Sequence, residues 1–507
     1  MELRKELIIA AAGSGKTTEL VRNVLHAIES VNSTRVIAVI TYTNSATEEL
    51  IKRLEEVVSI PSNVFIGTIH SFLLSYLIKP FAKSKGLIED DIIVNDINLN
   101  LNAKGKDYYI MKNRVLSSLS KKGILTYDQI ATVSNKLLSD PIVKERFCNR
   151  ISYVLVDEFQ DATKQQFDIL ETLRKGKKTN VILVGDPEQK IMSFASKEKK
   201  RNRKGDLKQH PIISLQEKKS YKVVKLENNY RSSKTIVNFL NNFHCNIKQV
   251  YRCEKITSMN EVTFIDLSDI DEIVEKFNLL CLEKKFLASS PKTKFFLSYQ
   301  NNKFKGSVSN IRKNEDYSKC LCITMDLIKS LYNKSKSEIM DEFNITIIEF
   351  RKKCIELIDY FRKNINNIEY WGKEVEVKFG DFNNYQKSIK ECSIDNNEII
   401  NKYYNVVSGI FISTKENIDK CREYCLTIHK AKGLEADAVL VLARNEDELR
   451  KWLECDRNKR IDEVSDSCHL GYVAFSRAKE FLCIACENAI GEDTKQILNN
   501  LGVIVCT

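Results

Sequence analysis

Short uninterrupted apolar runs, each closed by Gly, Asn or Asp, recur in two groups along this 507-residue chain. The first group reads ELIIAA, RVIAVIT, NVFIGT, YVLVDE and NVILVGD, and the second KFFLSY, CLTIH, AVLVLA and FLCIAC. Most lack the apolar–polar alternation of a half-exposed strand and are rich in Val and Ile, which predicts strands buried on both faces of a parallel sheet. Segments with helical spacing, such as SATEELIKRLEEV, lie between several of them, so the class is α/β. A strand-poor stretch from about Asn301 to Arg422 separates the groups and predicts two sheets rather than one. Within it Ile339, Phe343, Ile347, Phe350, Cys354, Ile358 and Phe361 fall three or four apart, predicting one helix over Glu338–Ile365. A shorter strand-poor insert, about Phe81 to Leu125, contains NDINLNLNAKGK. Lys197–Lys208, KEKKRNRKGDLK, is too charged to pack and predicts an exposed loop.

Composition narrows the class. Hydrophobic residues make up 43% of the chain, enough for packed cores, which excludes global disorder. The formal net charge of +11 favours a polyanionic partner, nucleic acid before membrane. No run approaches the roughly 18 apolar residues of a membrane span. The start, MELRKELIIAAAG, imitates a secretion signal, but its apolar run leads straight into GSGKT and reads as a core strand. Fifteen scattered cysteines fit reduced thiols and a cytoplasmic location better than a disulfide framework. Cys483 and Cys486 form the one CxxC, inside an apolar run and without a second pair, and read as buried thiols.

Two motifs carry chemistry. Ala10–Thr17, AAAGSGKT, follows a strand and precedes an amphipathic helix, the context of a phosphate-binding loop. Its small residues let backbone N–H groups close on a β-phosphate, Lys16 supplies a point charge to the β- and γ-phosphates, and the Thr17 hydroxyl ligates Mg²⁺. YVLVDEFQD ends an apolar strand in Asp157 and Glu158, the first suited to hold Mg²⁺ and the second to orient and deprotonate water. ATP hydrolysis is the reaction class that these motifs indicate.

The ordered set GSGKTT, TYTNSATEEL, GTIHSF, VDEFQD, VGDPEQKIMSF, LENNYRSS, LTIHKAKGLEADAVLV and GYVAFSRAK resembles that of the UvrD/Rep-type superfamily 1A DNA helicases, in family order across nearly the whole chain. The resemblance implies two RecA-like parallel-sheet P-loop domains with reduced, mainly helical 1B and 2B insertions. Domain 1A would span 1–80 and 126–225 around a 1B insertion at 81–125. Domain 2A would span 226–300 and 423–507 around a 2B insertion at 301–422. It further implies Arg231 and Arg477 as cations from the second domain and Gln189 as γ-phosphate sensor. Tyr230 would stack on adenine, Glu435 would meet the ribose, and Ala12, Gly13, Ser14, Gly15, Lys16, Thr17 and Thr18 would surround the nucleotide. Tyr42 and Phe194 match base-stacking positions, and Thr68, His70, Ser71, Thr427 and His429 match positions near the DNA phosphates. ATP and Mg²⁺ are the implied cofactors, and 3′→5′ movement on DNA the implied activity.

Departures from the family pattern shape the finer reading. No Gln occurs among the nine residues before Ala10, and Thr18 stands where many relatives carry Arg, which leaves GTP open beside ATP. Met192 replaces a usual Tyr, and Phe194–Ala195–Ser196 replaces an aromatic–Arg–Gly–Ala ending. With trimmed inserts and a short tail after Arg477, the chain also resembles the helicase-like subunit of Gabija-type anti-phage systems. That narrower resemblance implies a nuclease partner of the OLD family with a Toprim domain. A DNA-end-sensing ATPase with little intrinsic unwinding is the alternative reading.

Overall fold

The computed structural model describes residues 3–31, 33–95, 105–191, 211–216, 219–256, 259–284, 292–300, 303–304, 316–332, 334–364, 367–380, 397–405, 422–462 and 466–507. Residues Met1–Ser307 and Cys425–Thr507 form one compact unit, and Val308–Tyr424 form a second. The Lys197–Lys208 loop and most of NDINLNLNAKGK lie outside the described residues.

In chain order the first strands are β1 (Lys5–Ala10), β2 (Val36–Thr41) and β3 (Val64–Thr68). Two short strands of the early insert, β4 (Ile93–Val94) and β5 (Ile124–Leu125), pair only with each other. β6 (Ile151–Val156), β7 (Asn180–Gly185) and β8 (Lys222–Leu226) complete a six-stranded sheet of order β3-β2-β6-β7-β1-β8, parallel throughout. The absence of alternation in these strands has a direct cause. Leu7, Ile9, Ala38, Ile40, Val154, Val156 and Leu183 enter one core, while Ile8, Ala10, Ile37, Val39, Leu155, Ile182 and Val184 enter another on the opposite face. Both faces are covered, so both sets of side chains are apolar.

β9 (Asn228–Asn229) and β10 (Val250–Tyr251) form a small parallel pair. The second large sheet contains β11 (Thr263–Ile265), β12 (Thr293–Ser298), β13 (Arg422–Thr427), β14 (Ala436–Ala443), β15 (Ala478–Cys486) and β16 (Ile504–Cys506). Its order is β13-β12-β14-β15-β11-β16, and the pairings from β12 through β16 are parallel. Cys483 and Cys486 are buried within β15. The α/β class with two parallel sheets therefore holds. β8, β11 and β16 are strands that the apolar pattern does not reveal. β8 and β16 are partly exposed edges, and β11 and β16 are three residues long.

The described residues of the second unit are mainly helical. The single helix expected over Glu338–Ile365 is two, Lys336–Glu342 and Ile347–Lys363. Asn344 adopts a left-handed φ of 47°, and Thr346 then opens the second helix with a capping box, accepting from the Glu349 N–H at 3.3 Å while Glu349 accepts from the Thr346 N–H at 2.7 Å. Ile339, Phe350, Cys354, Ile358 and Phe361 still share one buried core, where Trp371 stacks on Phe361 with ring centroids 4.4 Å apart. Periodicity survives the break, which is why it hides it. Among the described residues no helix is long and apolar enough to cross a membrane.

The helix Ser467–Phe475, which leads into Arg477, packs at Gly471 against the helix Glu446–Trp452; a Cβ there would lie 2.5 Å from the Cβ of Trp452. Ala is ordinarily the better helix former, by about 1 kcal/mol. Here the clash reverses the sign: Gly471→Ala is expected to destabilise the chain by about 1–3 kcal/mol, read as a lower urea midpoint. An unchanged or raised midpoint would show that these helices do not pack this closely.

Candidate active site

β1 ends at Ala10, and the chain turns through residues 11–15 into helix α1 (Lys16–Ser30). Gly13 and Gly15 take φ of +75° and +80°, which suits glycine and orients successive backbone N–H groups toward one anion-sized concavity at the helix start. Gly13 has a second reason to be glycine. A Cβ there would lie 2.8 Å from both the Arg231 Cβ and the Asn229 Oδ1. The loop is clasped from outside its own sheet: the Ala12 carbonyl accepts from Asn229 Nδ2 at 3.1 Å and Gln249 Nε2 at 2.8 Å, and the Gly13 carbonyl accepts from the Tyr230 N–H at 2.9 Å. The Ala12 N–H also donates to the Tyr472 hydroxyl at 3.4 Å. Ser14 is buried with no hydrogen-bond partner for its hydroxyl among the described residues, Thr17 is half-buried and Thr18 is exposed.

The acidic pair follows β6. Asp157 is buried, and its N–H donates to the Ile40 carbonyl at 2.9 Å. Glu158 takes a left-handed φ of 47°, its N–H donating to Asp157 Oδ1 at 2.9 Å. That strained turn aims its carboxylate at the phosphate loop, where it meets the Lys16 ammonium at 2.7 Å and accepts from Gln160. Burial and the neighbouring Glu158 charge push the Asp157 carboxyl up. Burial would raise Glu158 too, but the charges of Lys16 and Lys432 outweigh it and hold Glu158 below its ordinary range. For Lys16, burial is likewise outweighed by Glu158 and Asp157, and its pKa rises.

Cations of the second sheet close the site. Arg477 is buried: its guanidinium donates to the carbonyls of Val473 and Leu434, to Ser476 Oγ at 2.8 Å and to Gln189 Oε1 at 3.3 Å. Gln189, in the loop after β7, also donates to Asp186 Oδ2 at 2.8 Å. Burial and the nearby Arg231 charge lower Arg477 to about 9, so it stays a cation at neutral pH. Arg231 pairs with Glu435 at 2.6 Å, and Glu435 also meets Lys479 at 2.9 Å. Lys432 meets Asp161 at 2.6 Å and donates to the Gln189 carbonyl at 3.0 Å. Tyr230, 55% exposed, lies over the loop, its ring 3.8 Å from where a Gly15 Cβ would stand. The structure thus brings Lys16, Asp157, Glu158, Gln189, Arg231, Tyr230, Glu435 and Arg477 to one place. Lys432, Asp161, Asn229, Gln249 and Tyr472 join them without having been singled out in the sequence.

The residues matched to DNA positions stand at carboxyl ends of strands, where ligands of open parallel sheets bind. Tyr42 follows β2; its ring packs against the first core, and its buried hydroxyl has no hydrogen-bond partner among the described residues. Thr68 ends β3, caps the next helix through the Ser71 N–H at 3.3 Å and approaches Ser71 Oγ at 2.9 Å. His70 lies edge-on to Tyr127 with centroids 5.3 Å apart, and burial lowers its pKa. Thr427 ends β13 and accepts from the Lys430 N–H at 3.3 Å, while His429 is half-buried, its pKa also lowered by burial. Phe194 lies outside the described residues.

A glycine-turned phosphate cradle, an acidic pair beside it and arginines from a second parallel sheet define the class: a P-loop fold of two RecA-like domains facing one shared site. Two family models agree with that geometry, an AAA domain over residues 2–195 and a UvrD-like helicase C-terminal domain over residues 299–489. The chain thus carries a UvrD-like helicase C-terminal domain after an AAA domain, and it is similar to Rep-type helicases. It is 25% identical to the ATP-dependent DNA helicase Rep of Escherichia coli over 48% of this chain and 42% of that protein, so the match spans less than half of the relative's length. A longer match, 23% identical, covers 96% of this chain and 91% of the Rep helicase of Buchnera aphidicola from Schizaphis graminum. The Gabija protein GajB of Bacillus cereus is 27% identical over 53% of this chain and 52% of its own length.

Behind Gln189, Glu188 and Arg460 form an ion pair at 2.8 Å, 2% and 1% exposed. The Cys245 N–H donates to Glu188 at 3.2 Å, and His469 Nδ1 stands 3.3 Å away. Removing one partner of a buried pair strands the other charge, so Glu188→Leu is expected to lose about 3–5 kcal/mol, with Glu188→Leu/Arg460→Met recovering much of it. Burial would raise the Glu188 pKa, but His469 and Arg460 outweigh it and hold the carboxyl below its ordinary 4.5. The stability this contributes is present above that value and lost as pH falls. Urea unfolding against pH should therefore show the wild type's advantage over the single variant shrinking below about pH 4.5.

Proposed function

We propose that the chain hydrolyses ATP between its two RecA-like domains and uses the cycle to move along, or sense, single-stranded DNA in the 3′→5′ sense of its family. The observation that carries this reading is the bond from Arg477 of the second sheet to Gln189 of the first, beside the Lys16–Glu158 pair. Charge developing on a transferring phosphoryl group calls for cations from both sides, and here a second-sheet arginine reaches the sensor loop of the first. Lys16 exchanges Glu158 for the phosphates, and the freed Glu158 carboxylate accepts the proton of the attacking water. Arg231 and Arg477 balance the charge, and Gln189 reports the γ-phosphate to Arg477.

The residues also fit Mg²⁺. A buried Asp157 whose proton affinity is raised by a second acid gains by facing a divalent cation, and Thr17 opens α1 beside the phosphate loop. Thr17 and Asp157 would hold the ion, which when bound neutralises the phosphate oxygens. Tyr42, Thr68, His70, Ser71, Phe194, Thr427 and His429 would line the strand's path.

At the finer level, we read the chain as the helicase-like subunit of a Gabija-type defence complex with an OLD-family, Toprim-domain nuclease. The match to GajB supports this. A stable complex on size exclusion after co-expression with such a nuclease is the expected result; separate elution would remove that reading and leave the motor intact.

ATP turnover with and without single-stranded DNA tests the main proposal. Strong stimulation by DNA is expected. Glu158→Gln should lower kcat about 10²–10⁴-fold, as loss of a general base does, and Lys16→Ala should abolish turnover; near wild-type rates in either would overturn the assignment. Affinity for the strand should fall with salt at a slope of about −0.7 per phosphate contact.

A further inference from the structure

Three neighbouring strands of the second sheet, β13, β12 and β14, end side by side. Their carboxyl ends bring together Thr427 and His429, Tyr299, and Arg444. The Ile428 N–H donates to the Ser298 carbonyl at 3.1 Å, which ties the first two ends directly. Tyr299 is 40% exposed, although it directly follows a strand whose last four residues are buried. Its ring is nonetheless held. The Arg444 guanidinium lies over it, 4.2 Å from the centroid, and the His429 ring meets it edge-on at 6.1 Å.

Arg444 is itself fixed. Glu448, buried at 7% exposure, accepts from its Nε, from its terminal nitrogen at 2.7 Å and from its backbone N–H at 2.8 Å. A guanidinium anchored at that many points is a rigid shelf, and the ring on it has given up its rotamer freedom before any ligand arrives. Arg444 lies over the ring and His429 stands across it at 76°, yet the side chain keeps 40% of its surface exposed to a ligand. A rigid, half-open aromatic beside polar groups at the carboxyl edge of a parallel sheet suits the flat face of a nucleobase. Aliphatic chains gain little from such a surface, and a phosphate alone would not use it.

We propose that Tyr299 is a base-stacking platform on the second domain, with Arg444 and Glu448 as its positioning residues. This deepens the proposed function and rests on it: the occupant is a base of the single strand whose backbone passes Thr427 and His429. Stacking on an aromatic ring is tolerant of base identity, so the site adds grip without sequence preference.

Fluorescence anisotropy with a labelled oligonucleotide, and with the same strand made abasic across the site, tests it. Tyr299→Ala should weaken binding to the intact strand by about tenfold, within the range of one lost stack, and leave the salt slope unchanged because no phosphate contact is lost. Tyr299→Phe should bind as wild type, Arg444→Ala should fall between, and ATP turnover without DNA should not change. On the abasic strand the wild type and Tyr299→Ala should bind alike. Wild-type affinity in Tyr299→Ala would overturn the platform while leaving the motor standing. An equal loss on intact and abasic strands would overturn it as well, since the ring would then act on the protein and not on a base. A wild type that binds no single strand would overturn the parent reading and this one together.

Discussion

Charges that are taken out of water must be neutralised by other charges, and most of the site follows from that requirement. Lys16, Asp157, Glu158, Asp161, Arg477 and the Glu188–Arg460 pair sit where the two sheets meet, largely shielded from solvent. Most acids there have a cation from elsewhere in the chain: Glu158 takes Lys16, Asp161 takes Lys432, and Glu435 takes Arg231 and Lys479, while burial and Glu158 push Asp157 up toward its neutral form. Such pairs contribute little net stability, because desolvation offsets most of their attraction. What they do supply is exclusivity. In the proposed cycle, a phosphate entering near Lys16 would compete with Glu158 for the same ammonium, so binding and release of the proposed base would become one event.

The phosphate loop, for the same reason, is not a property of the first sheet alone. Its turn is formed by Gly13 and Gly15, but the carbonyl of Ala12 is satisfied by Asn229 and Gln249, and its N–H by Tyr472. Without those partners the loop would present unpaired backbone groups in a buried place, at a cost comparable to a lost hydrogen bond for each. The loop, the small β9–β10 pair and the helix carrying Tyr472 therefore hold one another in shape, and Gly13 is also where Asn229 and Arg231 pack closely.

Much of this was legible in the chain. Strands buried on two faces have no choice but to be apolar throughout, so the nine runs announced themselves. β8 and β16 did not: Lys222 and Lys225 leave only two apolar residues between them in β8, and β16 is three residues long. The break at Asn344 was written in Thr346–Glu349, but an apolar rhythm that keeps its phase across a turn reads as one helix. In the site, Lys16, Asp157, Glu158, Gln189, Arg231 and Arg477 could be picked out because each stands in a motif whose chemistry constrains its neighbours. Gln249, Tyr472 and Arg460 stand in no such pattern. Their roles arise from contacts between residues 237, 460 and 272 positions apart, which only the fold decides.

The edge strand β8 runs parallel to β1, residue for residue up to Leu226 against Ala10. Three residues beyond Leu226 the chain is already bonded to Ala12, and a residue later to Gly13. The segment that leaves the first sheet is thus bonded to this loop within four residues of the end of its strand. In the motor proposed above, a load that displaced this segment would disturb the loop first, so resistance on the track would slow hydrolysis rather than let it run on without movement.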